Sequence, residues 1–185
     1  QANGEAFVRN PQASGQILPM MDVQIANDQG QPCQTGEVGE IWVKGVALMQ
    51  GYYGRPEDTA RSMSGEWFKT GDIGKVDEEG YIYIVDRKTD MVISGGENIY
   101  CAEVEQVLSS HPDVLQVTTF GVADDRLGER LVASVLLKDM SADLLAFARE
   151  NLAAYKVPTD ITVTEKPFLL NAMGKIEKQA VREAY

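Results

Sequence analysis

An aspartate behind a glycine, an arginine near the end of an apolar run and a lysine behind a glycine are the side chains best placed to act on an oxygen-rich ligand. They are Asp72 in Thr70-Gly71-Asp72, Arg87 in Asp86-Arg87-Lys88-Thr89-Asp90, and Lys175 in Asn171-Ala172-Met173-Gly174-Lys175-Ile176. A carboxylate at the mouth of a hairpin can accept hydrogen bonds from two neighbouring hydroxyls, such as those of a ribose. The planar donor fork of Arg87 suits the same kind of ligand. A lysine on a glycine-flanked loop can bring a compact positive charge to a place where negative charge accumulates during phosphoryl chemistry. Between the last two lies Ser94-Gly95-Gly96-Glu97-Asn98, whose glycines let backbone approach a ligand without a Cβ in the way. It is neither a GxxxxGK[ST] phosphate loop nor a GxGxxG turn. Each segment also has an ordinary reading, as a turn aspartate, a solvated charge cluster followed by a tight turn, and an exposed lysine.

Composition bounds what such residues can serve. The 185-residue chain is 44% hydrophobic, enough for one large or two small domains with buried cores. A net charge of −11 argues against a surface that tracks nucleic acid, while leaving room for small anionic ligands that need only a few donors. The longest apolar runs, such as Leu131 to Leu137, are too short to span a bilayer, so no transmembrane segment is expected and a cytoplasmic protein is the default. Cys33 and Cys101 lack metal-ligand spacing and read as structural thiols. His111, the single histidine, reads as a helix-end residue before Pro112, and no metal site is expected.

The elements that must position these residues change in texture near Asp86. Before it, short apolar runs alternate with turn signals, predicting antiparallel strands at Val23–Ala26 and Glu40–Val43 around the Asn27–Gly30 turn, and at Gly71–Val76 and Tyr81–Val85 around Asp77–Gly80. Arg55–Ser62 reads as a short helix with Pro56 in its first turn, ended by Gly65. After Asp86, Tyr100–Ser110 is an amphipathic helix with Val104, Val107 and Leu108 on one face. Strands follow at Val114–Val122 and Arg130–Leu137, then a helix capped by Ser141, a strand at Ile161–Val163 and a last helix from Ile176. The expected fold is α+β: a strand-rich, barrel-like part over residues 1–86 and a small α+β part over residues 87–185, joined by a hinge near 87–90.

The order of the segments is more specific than any one of them. Gly36-Glu37-Val38-Gly39-Glu40-Ile41-Trp42-Val43-Lys44-Gly45, Met49-Gln50-Gly51-Tyr52-Tyr53, Gly65-Glu66-Trp67-Phe68-Lys69-Thr70-Gly71-Asp72, Asp86–Asp90, Ser94–Ile99 and Gly174-Lys175-Ile176 together resemble the adenylate-forming superfamily, and within it the acyl-CoA synthetases, from about Gly15 to Tyr185. The resemblance implies an AMP-forming ligase: a carboxylate attacks the α-phosphate of Mg-ATP to give an acyl-adenylate and pyrophosphate, and the thiol of CoA then displaces AMP. It assigns Asp72 and Arg87 to the ATP or AMP ribose and Lys175 to catalysis of adenylate formation. It places a hinge at Thr89, beside Lys88, and assigns Ser94, Gly95, Gly96, Glu97 and Asn98 to the CoA-side loop of a mobile C-terminal lid. ATP, Mg2+ and CoA are the implied cofactors, a small carboxylic acid the implied substrate, and fatty acid metabolism one setting. Loading of a carrier-protein thiol, a luciferase-like oxidation and a non-catalytic lid-fold module are the alternatives.

Three positions depart from the family pattern. Thr89 stands where Asp or Lys is usual, Phe168-Leu169-Leu170-Asn171 replaces a Pro-Arg-containing approach to the lysine, and Cys101 stands where proline is common. No Ser/Thr/Gly-rich phosphate segment and no aromatic-Gly-x-Thr-Glu segment is found, so the chain is expected to be the C-terminal part of a longer enzyme whose N-terminal domain acts in cis. By itself it is expected to be inactive and prone to self-association through apolar surface.

Overall fold

The computed structural model describes residues 8–185. The chain divides into two compact units, Gln1–Thr89 and Asp90–Tyr185.

The first unit is built on an antiparallel sheet, with a short helix between its third and fourth strands. Its strands are β1 (Gly15–Gln16), β2 (Met21–Ala26), β3 (Gly39–Gly45), β4 (Met63–Ser64), β5 (Trp67–Val76) and β6 (Tyr81–Arg87), and its helix is α1 (Pro56–Ser62). The order is β1-β6-β5-β3-β2, with β4 added against β5. The sheet is open, with β1 and β2 at opposite edges; β1 offers only two residues of ladder, too little to continue toward closure. The strand-rich expectation therefore holds without a closed barrel. The β5–β6 turn forms because Asp77 Oδ1 accepts from the Glu79 and Tyr81 amides at 3.0 and 2.9 Å, an Asx turn that dictates where the chain reverses. Asn27 repeats the device, accepting from the Gln29 and Gln31 amides. There the strands do not meet at once: Pro32 bridges back to Ala26, and the chain runs on to Gly39 before β3 begins. In α1, Pro56 occupies the first turn, where its missing N–H is no loss, and Glu57 and Asp58 favour the positive end of the helix.

The second unit wraps helices on a mixed sheet. It contains β7 (Val92–Ser94), β8 (Glu97–Ile99), α2 (Cys101–Ser109), β9 (Val114–Asp124), β10 (Gly128–Leu137), α3 (Leu144–Asn151), a 3-10 turn at Ala154–Lys156, β11 (Asp160–Thr164) and α4 (Lys178–Ala184). β9 and β10 form a long antiparallel hairpin, β11 runs parallel to β10, and β7 touches β10 at the Ser94–Gly128 pair. Two of the three residues expected on one apolar face of α2 reach the core: Val104 and Leu108, joined by Cys101, pack with Val92, Ile99, Leu131, Val135 and Leu144, whereas Val107 is only half-buried and lies outside that cluster. Full burial of a Val or Leu side chain is worth about 1.5–3 kcal/mol, so Val104 and Leu108 fix α2 on the sheet. Beneath them Thr119, fully buried, is satisfied by the Cys101 carbonyl and by Glu105, which accepts from the Thr119 amide at 2.7 Å. Two helix starts differ from expectation. α3 is capped by Asp143, whose Oδ1 accepts from the Ala146 amide, in place of Ser141. α4 starts at Lys178 because Ile176 is bridged to Leu170 and the Glu177 amide donates to the Leu169 carbonyl, holding both residues in extended pairing.

Candidate functional site

Asp72 and Arg87 are cross-strand partners on β5 and β6, so the ladder register sets their side chains side by side. Arg87 Nε lies 2.7 Å from Asp72 Oδ1; the carboxylate is mostly covered and the guanidinium exposed. Asp72 Oδ2 has no partner among the described residues and remains able to accept from a ligand. The local backbone is braced by Thr70, whose Oγ1 donates to the Ile41 carbonyl and accepts from the Asp72 amide. One residue after Arg87, the Lys88 amide donates to the Gly71 carbonyl and Lys88 Nζ pairs with the buried Glu40 carboxylate at 2.9 Å. A groove of about 630 Å³ opens beside this pair, lined among others by Glu40, Tyr52, Arg55, Thr70, Gly71 and Lys88. Asp72 and Arg87 do not line it, so Lys88 and Arg87 serve different surfaces of the strand end.

The segment expected to be a loop at Ser94–Asn98 is the tip of a hairpin. Ser94 pairs with Glu97 and Ile93 with Asn98, and the reversal falls on Gly95 and Gly96 at φ values of 60° and 88°. Both values lie in the left-handed region, which L side chains seldom adopt, so this two-residue turn needs its glycines. Ile99 and Val92, at the base of the hairpin, belong to the core of the unit, while Glu97 and Asn98 are exposed at its end.

Lys175 stands on a second tight turn in the same unit. The Asn171 amide donates to the Lys175 carbonyl at 2.8 Å and the Gly174 amide donates to the Asn171 carbonyl at 2.9 Å. The Asn171 side chain fills the turn, its Oδ1 accepting from the Met173 and Lys175 amides at 2.9 and 3.1 Å. Gly174 has φ 78°, which permits the reversal. Lys175 is exposed, and its ammonium makes no ion pair among the described residues. Two other lysines of the unit are engaged: Lys178 pairs with Glu105 and Lys156 with Glu103. Each is held charged, because although partial burial disfavours the ammonium, the carboxylate beside it raises the pKa above the ordinary lysine value. Lys175 is thus a cation on a braced turn with no carboxylate paired to it among the described residues.

The two cysteines carry no such signal. Burial, followed by Glu37 and Asp28, pushes the Cys33 thiol up, away from thiolate chemistry, and Cys101 is buried at the start of α2. His111 stacks edge-on against Phe147 and accepts from the Asp113 amide, the local role expected of it.

Two family models match this sequence, an AMP-binding enzyme model over residues 2–53 and an AMP-binding enzyme C-terminal domain model over residues 103–175. The chain belongs to the AMP-binding enzymes, the adenylate-forming superfamily. Among curated members it is 51% identical over 175 residues to a 2-succinylbenzoate–CoA ligase of Geobacillus kaustophilus, covering 92% of this chain and 35% of the relative. It is 45% identical over 168 residues to a feruloyl-CoA synthase of Amycolatopsis, covering 89% and 34%. Among solved structures, the o-succinylbenzoate CoA synthetase of Bacillus subtilis, in complex with its acyl-adenylate intermediate, superposes with a TM-score of 0.86 at 37% identity, over 98% of this chain and 37% of that one. The chain therefore spans about a third of the length of the AMP-binding relatives it matches.

The C-terminal domain match ends on Lys175, whereas Asp72, Arg87 and Ser94–Asn98 fall between the two matched stretches. Sequence reasoning missed three supports of these residues. Asn171 was noticed as part of an unusual approach to the lysine, yet an Asn followed by a glycine-containing turn is itself an Asx-turn signal. Glu40 lies in the Gly36–Gly45 segment, but nothing in the sequence links it to Lys88. Nothing in the sequence marks Lys178 apart from other lysines in a short helix.

Proposed function

We propose that the protein carrying this chain is an AMP-forming acid–thiol ligase, an acyl-CoA synthetase, and that this chain supplies its ribose-binding strand pair and its catalytic lysine. The reading is carried by Lys175, an unneutralised ammonium on a turn braced by Asn171, within a chain whose relatives are named as CoA ligases and synthases. In the first half-reaction, a carboxylate oxygen attacks the α-phosphorus of ATP and pyrophosphate leaves. Lys175 meets the negative charge that gathers on the α-phosphate and carboxylate oxygens, which is where a fixed cation lowers the barrier. Asp72 accepts from the ribose hydroxyls through its outward oxygen while Arg87 holds the other. In the second half-reaction a CoA thiol attacks the acyl carbonyl, loses its proton, and AMP departs.

Residues 1–86 then form the last subdomain of a larger N-terminal region that acts in cis, and residues 87–185 a mobile lid turning about a hinge at Lys88–Thr89. Turning exchanges the Lys175 loop for the Ser94–Asn98 hairpin, whose exposed glycine tip suits a narrow thiol passage. ATP and magnesium accompany the Bacillus subtilis enzyme in one of its structures. Here Asp72 and Arg87 fit the sugar of that nucleotide, but no group of His, Cys, Asp and Glu suited to a metal occurs among the described residues. By the family resemblance, magnesium would be held with the phosphates by the N-terminal region. Expected in the complete protein, Lys175→Ala abolishes acid-dependent ATP–pyrophosphate exchange while thioester formation from supplied acyl-adenylate persists; equal loss of both would refute the assignment.

A further inference from the structure

The helix that follows the lysine turn is short and poorly buried. α4 spans seven residues, contains no buried side chain, and begins three residues after Lys175, so an apolar face alone cannot hold it firmly. Its far end is held by Tyr185, whose hydroxyl donates to Asp160 at 2.8 Å, and by Arg182, 3.8 Å from Glu129; at its first turn the side-chain tie is Lys178. Lys178 Nζ lies 2.8 Å from Glu105 Oε1 on α2 and 3.8 Å from Asp90 Oδ2, the residue that opens the second unit. The Lys178 side chain is 27% exposed and Glu105 22%, so water screens the pair only partly. Glu105 is itself immobilised, because the same Oε1 accepts from the amide of fully buried Thr119 on β9. The chain of contacts therefore runs from the core strand through Glu105 to Lys178, and by three residues of backbone to Lys175. Asn171 fixes the internal shape of the turn; nothing in that shape says where the turn stands on the unit.

We propose that Lys178 is a positioning residue for Lys175: through Glu105 and Asp90 it clamps the root of the lysine turn to the sheet and to the residue next to the hinge. This rests on the reading that Lys175 acts in adenylate formation. Lys178 touches no reacting group. Its loss frees the first turn of α4 and the lysine turn before it, while the far end stays held by Tyr185, and a displacement of about 1 Å at a reacting charge can lower a rate about 100-fold. Because the drift affects a contact made in the transition state, it appears in kcat and leaves the KM for ATP alone.

The test uses the complete protein, with acid-dependent ATP–pyrophosphate exchange and thioester formation from supplied acyl-adenylate measured side by side. Lys178→Met lowers the kcat of exchange about 10- to 100-fold, with the KM for ATP and the thioester rate each within about twofold of the parent. Lys178→Arg, which can still reach Glu105, restores most of the rate. Glu105→Gln keeps an oxygen for the Thr119 amide but removes the charge, and lowers exchange in the same selective way; it stands in if Lys178→Met does not fold. The inference is overturned if the clamp variants match the parent, if both half-reactions fall together, or if Lys178→Arg fails to rescue. Retention of exchange by Lys175→Ala alone would instead sink the underlying role of Lys175.

Discussion

The pair between Lys88 and Glu40 gives the sharpest test of how the strand end beside Asp72 and Arg87 is held. The Glu40 side chain is 9% exposed and that of Lys88 47%, with the charges 2.9 Å apart. Replacing Lys88 with Met leaves a carboxylate buried without its cation. Removing one partner of a fully buried pair costs about 3–5 kcal/mol, and breaking an exposed pair about 0.2–1 kcal/mol. Water reaches this pair from the lysine side only, which places Lys88→Met between those limits, at about 1–3 kcal/mol. With a urea dependence of about 1–2 kcal/mol/M for a unit of this size, the unfolding midpoint falls by about 1 M. Trp42 and Trp67 are the only tryptophans and both belong to the first unit, so their fluorescence in urea reports that unit without interference from the second. The double variant Glu40→Leu/Lys88→Met removes the stranded charge as well and should recover most of the loss. The reasoning fails if Lys88→Met moves the midpoint by less than about 0.2 M, or if the double variant is weaker than the single one.

For Asp72→Asn in the complete protein, the lost charge-assisted hydrogen bond of about 1.5–3 kcal/mol raises the KM for ATP about 10- to 100-fold; an unchanged value in steady-state kinetics removes Asp72 from the ribose site. Asp77 supplies a pH prediction. The Tyr81 amide above all, against some opposing burial, and then Tyr83 and the Glu79 amide hold the Asp77 carboxyl below its ordinary value of 3.8. A carboxyl depressed in the folded state contributes stability above that ordinary value and loses it as pH falls through the lower folded one. Asp77→Asn should therefore lower the melting temperature of the first unit at neutral pH and flatten its decline below about pH 4, followed by the same tryptophan fluorescence; an unchanged acid limb would contradict it.

How much of this was legible depends on where each residue finds its partners. The Asp77 and Asn27 turns, the Pro56 helix start and the buried face of α2 are set by neighbours a few residues away, and period and turn chemistry expose them directly. The β7–β8 hairpin was missed because strands of three residues around two glycines resemble a loop, and only the core positions of Val92 and Ile99 make them strands. The start of α4 was misplaced because a bridge between Leu170 and Ile176 competes with helix, and no local propensity announces a bridge. At the site, residue types pointed to Asp72, Arg87 and Lys175, and the family resemblance gave them roles. Their supports were hidden for a common reason: Glu40 meets Lys88 48 positions away in sequence, and Lys178 meets Glu105 and Asp90 across most of the second unit. Charge pairs of that span obey no period.

The same supports bear on the hinge. Thr89 is β-branched where the family usually has Asp or Lys, and a stiff side chain is a poor choice for a residue asked to change its backbone angles widely. Its neighbours explain how the junction can still work as a narrow pivot. On one side Lys88 is fastened within the first unit, by its amide to the Gly71 carbonyl and by its ammonium to Glu40. On the other, Asp90 is held within the second unit by Lys178. Under the proposed turning of the lid, neither flank yields easily, so the change in dihedral angle is concentrated on the few bonds around Thr89. A sharp pivot between two clamps moves the Lys175 turn and the Gly95–Gly96 tip as one rigid body, whereas a pivot with loose flanks would let each drift. On that proposal, stiffness at Thr89 would slow the exchange between half-reactions without blurring either geometry. The clamp at Asp90 and the placement of Lys175 are, on this view, one device, because Lys178 belongs to both.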